Sequence, residues 1–342
     1  MISYRKLAMR VLGHSPVSAV KTARRSTAKR AAALALTAAL VVGMTLPAFA
    51  DTWYIEDGDI SISAGTSGNH VEQGEKKQDE TTETIITNRE STASSNAVTI
   101  EAGEGKTVDV TLKNVNIDAS SGAAVSVTGK GDTNIELNGN NTLTSGSGHA
   151  GLEHNKETNS EGKETSGTLT ITDNNNDGKL TANGGIDGAG IGGSDEHDGQ
   201  VTITGGEITA TGGNGAAGIG GGAGDTDAVG GDGDVTISGG TITATGGRLG
   251  AGIGGGAYGN GTVTVTDGDI TAKATGRYGA GIGGGYGAKP SGTLIGGNGT
   301  VTISGGTITE ASGGYMAAGI GSGFQGLGTC LLYTSPSPRD CS

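Results

Sequence analysis

Short runs of alternating apolar and polar residues recur along the chain. In "QVTIT", "DVTIS", "TVTVT" and "TVTIS", every second residue is Val or Ile and the residues between them are polar. A period of two over four or five residues predicts a β-strand with one buried face. A second alternating piece, x-I-T-A, follows the first three runs after a Gly-Gly or Asp-Gly pair. Such pairs predict a corner, because glycine tolerates positive φ.

The tetrapeptide AGIG marks the repeat unit. It begins at Ala189, Ala217, Ala251, Ala280 and Ala318, at intervals of 28, 34, 29 and 38 residues. One unit cannot bury its apolar stripe alone, so stacked copies must place Val over Val and Ile over Ile, about 4.8 Å apart. The pattern predicts an all-β fold, a right-handed parallel β-helix (β-solenoid) with about three short strands per coil.

The AGIGG segment also resembles a phosphate-binding glycine loop. It recurs five times, it lacks the Lys-Ser/Thr of a P-loop, and no helical pattern follows it. We therefore interpret it as the third side of each coil, with its isoleucine buried.

The region before Ala189 shows the same alternation with less regular spacing. We expect looser coils over 51–187, regular AGIGG repeats over 188–323, and a single β-helix domain over 51–329. The segment "DTWYIEDGDISISAG" predicts the first coil, with Trp53 as a plug at its end.

Three local features complete this prediction. The polar stretch 68–97 is either a surface insertion or a partly ordered first coil. Asn138, Asn140 and Asn141 lie at a predicted corner, where side-chain amides can bond along the stack. Glu310 stands where other repeats carry the Ala of x-I-T-A. We expect the coil to open there, or the β-helix to approach its end.

Both ends of the chain differ from the repeats. Residues 1–50 combine eight basic residues, no acid, the apolar run "AAALALTAALVVGM" and a final Ala-Phe-Ala. This order of segments is typical of a secretory signal peptide. It predicts a secreted, extracellular protein that is not an integral membrane protein once the signal peptide has been cleaved. The alternative is an uncleaved N-terminal membrane anchor. "CLLYTSPSPRD" resembles a translated sequencing adapter. We expect 330–342 to be an artefactual tail that replaces the true C-terminal region, and that region could attach the protein to the cell wall. The alternative is that the tail is native.

Charge and cysteine content narrow the possible partners. The chain has 22 Lys and Arg against 35 Asp and Glu, a net charge of −13. Without the leader's eight basic residues and the tail's Arg339 and Asp340, 13 basic and 34 acidic residues remain, a charge of −21. Such a surface repels nucleic acid. Cys330 and Cys341 both lie in the suspect tail, so we expect no disulfide and no thiolate site.

Acidic loops could hold calcium, although the fold requires no cofactor. "DNNNDG" offers oxygen ligands at alternate positions but lacks the later Glu and the flanking helices of a calcium loop. The loop "DTDAVGGDGD" could lie beside the "SDEHD" loop of the preceding unit. The candidate calcium ligands are Asp173, Asn175, Asp177, Asp225, Asp227, Asp232 and Asp234. The alternatives are an Asx-rich turn and a solvated acidic loop.

Tyrosines and arginines near AGIG predict a glycan-binding face. Exposed tyrosines at matching points of stacked coils would form a row on which sugar rings can pack, and the variable loops all leave the coil on one side. The candidate glycan-binding residues are Tyr258, Tyr278, Tyr286, Tyr315, Arg248 and Arg277. The alternative is that they are ordinary exposed turn residues.

The signal peptide, "DTWYIEDGDISI", "NNTLTSG" and the repeated G-x-VTI-x-GG-x-ITA…AGIGGG unit resemble secreted, glycine-rich β-helix proteins of gut and clostridial bacteria. The resemblance covers nearly all of 51–323. The resemblance implies that this chain is a carbohydrate-binding or adhesin-like surface protein. The family supplies no catalytic residue that could be carried over to this sequence.

We therefore predict adhesion or binding of a polysaccharide, host or cell-wall glycan through the variable loop face. One alternative is a passive structural stalk or surface-layer element without a specific ligand. Another is a polysaccharide lyase or glycosidase, which needs clustered carboxylates. No carboxylates recur on the predicted strand faces, so we expect no enzyme.

Overall fold

The computed structural model describes residues 51–80, 84–224, 230–287 and 297–332. Its regular structure is β-strand, apart from one short 3-10 helix at Ile55–Asp57. The first fourteen strands are β1 (Thr52–Tyr54), β2 (Ile60–Ala64), β3 (Asn69–Gln73), β4 (Lys76–Glu80), β5 (Thr84–Thr87), β6 (Val98–Ala102), β7 (Thr107–Lys113), β8 (Asn116–Asp118), β9 (Val125–Gly129), β10 (Asp132–Asn138), β11 (Asn140–Thr144), β12 (Leu152–His154), β13 (Leu169–Thr172) and β14 (Lys179–Asn183).

Twelve more strands follow, eleven of them in the regular repeats and the last one after them. They are β15 (Ile191–Gly192), β16 (Gly199–Ile203), β17 (Glu207–Thr211), β18 (Ile219–Gly220), β19 (Gly233–Gly246), β20 (Ile253–Gly254), β21 (Gly261–Ala274), β22 (Ile282–Gly283), β23 (Gly299–Ile303), β24 (Thr307–Ser312), β25 (Ile320–Gly321) and β26 (Gly328–Leu332).

The strands stack into three faces, and successive strands on each face pair in parallel. Face 1 runs β1, β5, β7, β10, β13, β16, the first half of β19, the first half of β21, β23 and β26. Face 2 runs β8, β11, β14, β17, the second halves of β19 and β21, and β24. Face 3 runs β2, β6, β9, β12, β15, β18, β20, β22 and β25. The prediction of an all-β parallel β-helix is confirmed, and its right-handed sense stays a prediction.

Equivalent residues of successive coils lie directly above one another, as the repeat predicted. The buried columns are Val201, Val235, Val263 and Val301 on face 1, Ile208, Ile242 and Ile270 on face 2, and Ile191, Ile219, Ile253 and Ile282 on face 3. Threonines form matching columns outside, including Thr202, Thr236, Thr264 and Thr302. A core made of thin aliphatic columns explains how a chain with 3% aromatic residues can fold.

The glycine after each face-3 isoleucine is required by the backbone. Gly254 has φ +128° and Gly283 has φ +132°, a region that L side chains rarely adopt. A Cβ on Gly254 would also lie 2.0 Å from the carbonyl oxygen of Gly283 in the next coil. AGIGG is therefore a structural segment, as predicted.

Glu310 does not take the buried position of the repeat's alanine. Ile308 pairs with Ile270, but a register shift follows, and Ala311 then pairs with Ala272. The extra residue puts Glu310 opposite Thr271 on the outside. There its carboxylate lies 2.8 Å from the ammonium of Lys273. A β-bulge therefore absorbs one residue, and Ala311 takes the alanine position of the repeat. The expectation that the coil opens or that the β-helix approaches its end stays a prediction.

The polar stretch 68–97 is largely an ordered cap on the first coil. β3 and β4 form an antiparallel hairpin on the edge strand β2, and β5 joins face 1. Trp53 is 1% exposed, and its indole donates to the carboxylate of Glu80. The Lys76 ammonium lies 3.7 Å from the centre of the Trp53 ring. Trp53 therefore closes the first coil, as predicted.

Amide and carboxylate side chains link the coils at two corners. Asn141, 2% exposed, accepts from the Val115 N–H of the preceding coil and donates to the Lys179 carbonyl of the next, so it bonds to backbone and not to a stacked asparagine. A longer ladder of hydrogen bonds precedes face 1, in which the side chain of each coil accepts a hydrogen bond from the next coil. Its acceptors, in coil order, are Asp198, Asp232, Asn260 and Asn298, and the last of these accepts from Leu327 N–H. The sequence signal was Asp or Asn before the glycine of G-x-V-T-I, which the sequence analysis did not use.

The two terminal predictions fall mainly outside the described residues. Residues 1–50 and 333–342 lie outside them. Residues 328–332 form β26, whose five residues are all exposed. The signal peptide and the artefactual tail both stay predictions.

Candidate functional site

Two turns flank each face-3 strand, and backbone hydrogen bonds hold them side by side. The exit turn of one coil donates to the entry turn of the coil before it, from Tyr286 to the Leu249 carbonyl and from Phe324 to the Tyr278 carbonyl, each at 2.8 Å. We call this set of turns the corner. Coil by coil, the corner comprises Ile186, Asp187, Asp195 and Glu196; Asn214, Gly215, Ala223 and Gly224; Arg248, Leu249, Ala257 and Tyr258; Arg277, Tyr278, Tyr286 and Gly287; Tyr315, Met316, Phe324 and Gln325.

Four aromatic rings from the last three described coils meet at the corner. The ring centres of Tyr278 and Tyr286 are 4.9 Å apart, and those of Tyr258 and Tyr286 are 5.5 Å apart. Phe324 lies 5.4 Å from Tyr278 and, nearly parallel, 6.1 Å from Tyr286. These separations are those of interacting aromatic pairs. The structure thus brings three of the four predicted tyrosines into one cluster.

Tyr258 forms the buried base of this cluster. It is 5% exposed, whereas Tyr286 and Tyr278 are partly exposed. Its φ is +67°, and Glu196 and Gln325 have the same left-handed backbone at the same turn position of other coils. The expectation of an exposed Tyr258 is wrong, because Tyr258 lies one residue later in the turn than Tyr286 does.

Phe324 and Tyr315 are the aromatic residues of the corner in the last described coil. Phe324 follows the fifth AGIG as Tyr286 follows the fourth, so the repeat alignment could have found it; the search for tyrosines alone missed it. Tyr315 is 88% exposed, and in the described part of the chain it makes no ring contact with the cluster. It stands in the entry turn stacked on Arg277, whose carbonyl accepts from Met316 N–H at 2.9 Å.

Two arginines lie in the entry turns beside the rings. Arg248 and Arg277 occupy the same turn position in consecutive coils, and both are exposed. Neither forms an ion pair with any residue that the structure describes. An exposed guanidinium offers five donors in a planar fork, which suits carboxylate and sulfate groups.

The first candidate calcium loop is a hydrogen-bonded turn. The Asp173 carboxylate accepts from Asp177 N–H at 3.2 Å, and the neighbouring Asn174 binds Glu136 of the preceding coil. Asn175 and Asp177 are exposed. The loop is an Asx-rich turn in which carboxylates accept from backbone N–H groups, and calcium at this loop stays a prediction.

The second candidate calcium loop is only partly described. Asp225 and Asp227 lie outside the described residues. The Asp232 carboxylate is engaged by Asn260, and the Asp234 carboxylate lies 2.8 Å from the Lys156 ammonium. Over 51–80, 84–224, 230–287 and 297–332, no group of three or more His, Cys, Asp or Glu side chains is arranged to hold a metal ion.

Lys156 belongs to a polar pocket that the sequence analysis missed. A loop between β12 and β13 returns to the coil through a bridge from Asn155 to Gly199. It places Lys156 and Glu164 beside the acids of two coils. The pocket holds about 280 Å³ and is lined by Lys156, Thr158, Gly162, Glu164, Asp198, Asp232, Gly233, Asp234 and Thr262. The sequence signal was the 155–166 insertion, which lengthens one coil.

Burial and charge act in opposite directions in this pocket. Burial raises the pKa of the Asp198 carboxyl. The hydrogen bond from Asp232 N–H and the charge of Lys156 act against this rise, whereas the charge of the Asp232 carboxylate adds to it. Burial alone would lower the pKa of Lys156, but its bonds to Asp234 and Glu164 raise it above the usual value. Lys156 therefore serves as a protonated counter-charge, while Asp198 could hold a proton at a pH where an exposed aspartate would not.

Comparison with known families agrees with this architecture. A family model described as "Beta helix repeat" matches residues 175–195, 201–223, 235–257, 258–286 and 301–324. The comparisons with curated proteins and with solved structures gave no significant match. No helix within the described residues is long and apolar enough to cross a membrane.

The stacked faces and the matched repeats define a parallel β-helix protein. This fold occurs in enzymes and in non-enzymes, so function must be argued from the site.

Proposed function

We propose that this protein binds carbohydrate chains through the corner, as an extracellular adhesion or glycan-binding protein. The observation that carries the proposal is the cluster of Tyr278, Tyr286 and Phe324, which contributes partly exposed rings from two consecutive coils. Aromatic side chains combine a flat apolar face, on which a sugar ring can pack, with a polar tip in tyrosine.

The shape of the corner favours an elongated ligand. Its turns repeat with the coils, about 4.8 Å apart, so three coils present a strip of roughly 10 Å between the outermost backbones. Solenoid proteins commonly bind extended ligands along such strips. The clustered rings distinguish this proposal from a passive stalk, which needs no partly exposed aromatic residues on one side.

The repeat itself supplies the variants that test the proposal. Ala257 takes the position of Tyr286 one coil earlier, and Leu249 takes the position of Tyr278. Tyr286→Ala and Tyr278→Leu therefore place residues that the same turns already accommodate. Removing a stacked aromatic ring from a binding site costs about 1–3 kcal/mol, which predicts roughly 5- to 150-fold weaker binding for each variant.

The assay is a glycan array followed by calorimetric titration of the best polysaccharide with the purified protein. Tyr286→Phe keeps the ring and should bind like the wild type, and Thr243→Ala on face 2 is a surface control. Equal affinities for wild type and Tyr286→Ala, with unchanged melting curves, would refute the corner as the binding site. A folded protein that binds no glycan would favour the passive stalk.

Polysaccharide cleavage is a second candidate, favoured by one observation: Asp198, with its raised pKa, shares a pocket with Asp234 and Glu164. A raised carboxyl pKa is typical of a general acid. The same titrated samples test it, because cleavage would release new reducing ends or unsaturated products.

A further inference from the structure

Charge is distributed unevenly along the corner. Its first coil carries three acids, Asp187, Asp195 and Glu196, and the second carries none. The last three coils of the corner contain no acid among their described residues, and two of them carry an arginine. In a chain with a net charge of −13, the aromatic end of the corner is thus locally basic.

On face 2, two lysines pair with acids of the adjacent coil. The Lys179 ammonium lies 2.6 Å from Glu207 of the next coil, and the Lys273 ammonium lies 2.8 Å from Glu310. Of the three arginines in the described residues, Arg89 pairs with Asp57 of the preceding coil at 2.5 Å.

One pair of acids in adjacent coils has a lysine beside it. Asp198 and Asp232 lie in adjacent coils, and the charge of Lys156 acts on Asp198. Arg248 and Arg277 differ, because they are stacked charges of the same sign with no acid partner in the described structure. Like charges on backbones about 4.8 Å apart repel one another, and an anion between them would relieve the repulsion.

We infer that the corner selects acidic glycans, with Arg248 and Arg277 binding carboxylate or sulfate groups while Tyr278 and Tyr286 pack on the sugar rings. This inference rests on the proposed function and names its ligand class. A guanidinium group binds carboxylate or sulfate through paired, charge-assisted hydrogen bonds. Because Arg248 and Arg277 lie in consecutive coils, they can bind two successive acidic groups of one chain.

The test compares polymers that share a sugar backbone and differ in the charge of their substituents. Polygalacturonate is set against its methyl ester, and dextran sulfate against dextran, by calorimetric titration of the purified protein. We expect each acidic polymer to bind at least tenfold more tightly than its neutral counterpart, with the difference shrinking as salt screens the charges. Preference for only one of the two acidic polymers identifies the acidic group and supports the inference.

The variant is Arg248→Asn/Arg277→Asn, because Asn214 occupies the same turn position one coil earlier. Its control is Lys179→Thr/Lys273→Thr, which removes the same charge from face 2 and places the threonine found at these positions in other coils. The arginine variant should lose at least tenfold affinity for the acidic polymers and keep its affinity for the neutral ones, whereas the control should change neither by more than about twofold.

Three results would overturn the inference. Equal binding of acidic and neutral polymers would refute acidic selectivity and leave the proposed function standing. A folded protein that binds neither kind would refute both. Arginine-dependent binding of single-stranded DNA that is as tight as binding of the acidic polymers would show that the corner recognises polyanions in general.

Discussion

Ile253 tests the stacked core most directly. It is fully buried on face 3, where it pairs in register with Ile219 of the preceding coil and Ile282 of the next. Ile253→Ala removes three carbon atoms, worth about 0.8 kcal/mol each, or roughly 2.4 kcal/mol of lost burial. The neighbours are held by backbone ladders and can collapse only partly, so a cavity term should bring the cost to about 3–4 kcal/mol.

The assay is urea unfolding followed by circular dichroism, with Ile186→Ala as the control. Ile186 is 61% exposed, so its truncation should change the free energy of unfolding by no more than about 0.5 kcal/mol. Ile253→Asp should be worse than Ile253→Ala, because it buries a charge without a partner. Because coils can unfold separately, a new low-urea transition also counts as destabilisation. An Ile253→Ala curve that matches the wild type would refute the stacked core on face 3.

Two further predictions address the backbone and the buried acid. Gly254→Ala should lower the free energy of unfolding, measured by thermal melting, by several kcal/mol, because its Cβ would lie 2.0 Å from the Gly283 carbonyl oxygen. The control is Gly58→Ala, where φ is similar but no atom lies within 4 Å of the new Cβ, so only backbone strain of about 1–3 kcal/mol is expected. Equal losses of stability in the two variants would refute the steric clash. In Asp198→Asn, the new side chain can still accept the hydrogen bond from Asp232 N–H. Because the pKa of Asp198 is raised in the folded protein, the negative charge of Asp198 destabilises the fold at any pH above that pKa. The variant should therefore melt higher than the wild type at neutral pH, and this gain should fade as the pH falls towards 4. A difference in melting temperature that does not change with pH would contradict the burial argument.

Much of the architecture could be predicted from the sequence because the repeat is short and its burial pattern is local. The alternation in "QVTIT" and "DVTIS" decides which side chains of a strand point inward. The recurrence of AGIG decides that copies stack, since one coil cannot bury Ile253 by itself. Glu310 shows the limit of this reasoning: whether an irregular residue enters the core or is absorbed by a bulge depends on contacts with the next coil.

The candidate site could be predicted only in part. The tyrosines were found because they lie close to AGIG, but their distances and exposure depend on which turns meet across face 3. Tyr258 and Tyr286 both follow AGIG closely, yet a shift of one residue in a tight turn buries the first and leaves the second partly exposed. For the pocket around Lys156, the 155–166 insertion signals only a longer coil, and the contact between residues 156 and 234 across two coils needed the tertiary structure.

The sequence by itself therefore determined the repeat, the inward columns and the need for glycine in face 3, because these follow from strand periodicity and the steric demands of stacking. Only the tertiary structure decided that Phe324 joins the tyrosines, that Tyr258 lies beneath them, and that Arg248 and Arg277 have no acid partner in the described chain. These features depend on the lateral meeting of turns from different coils, and no local pattern in the chain encodes that meeting.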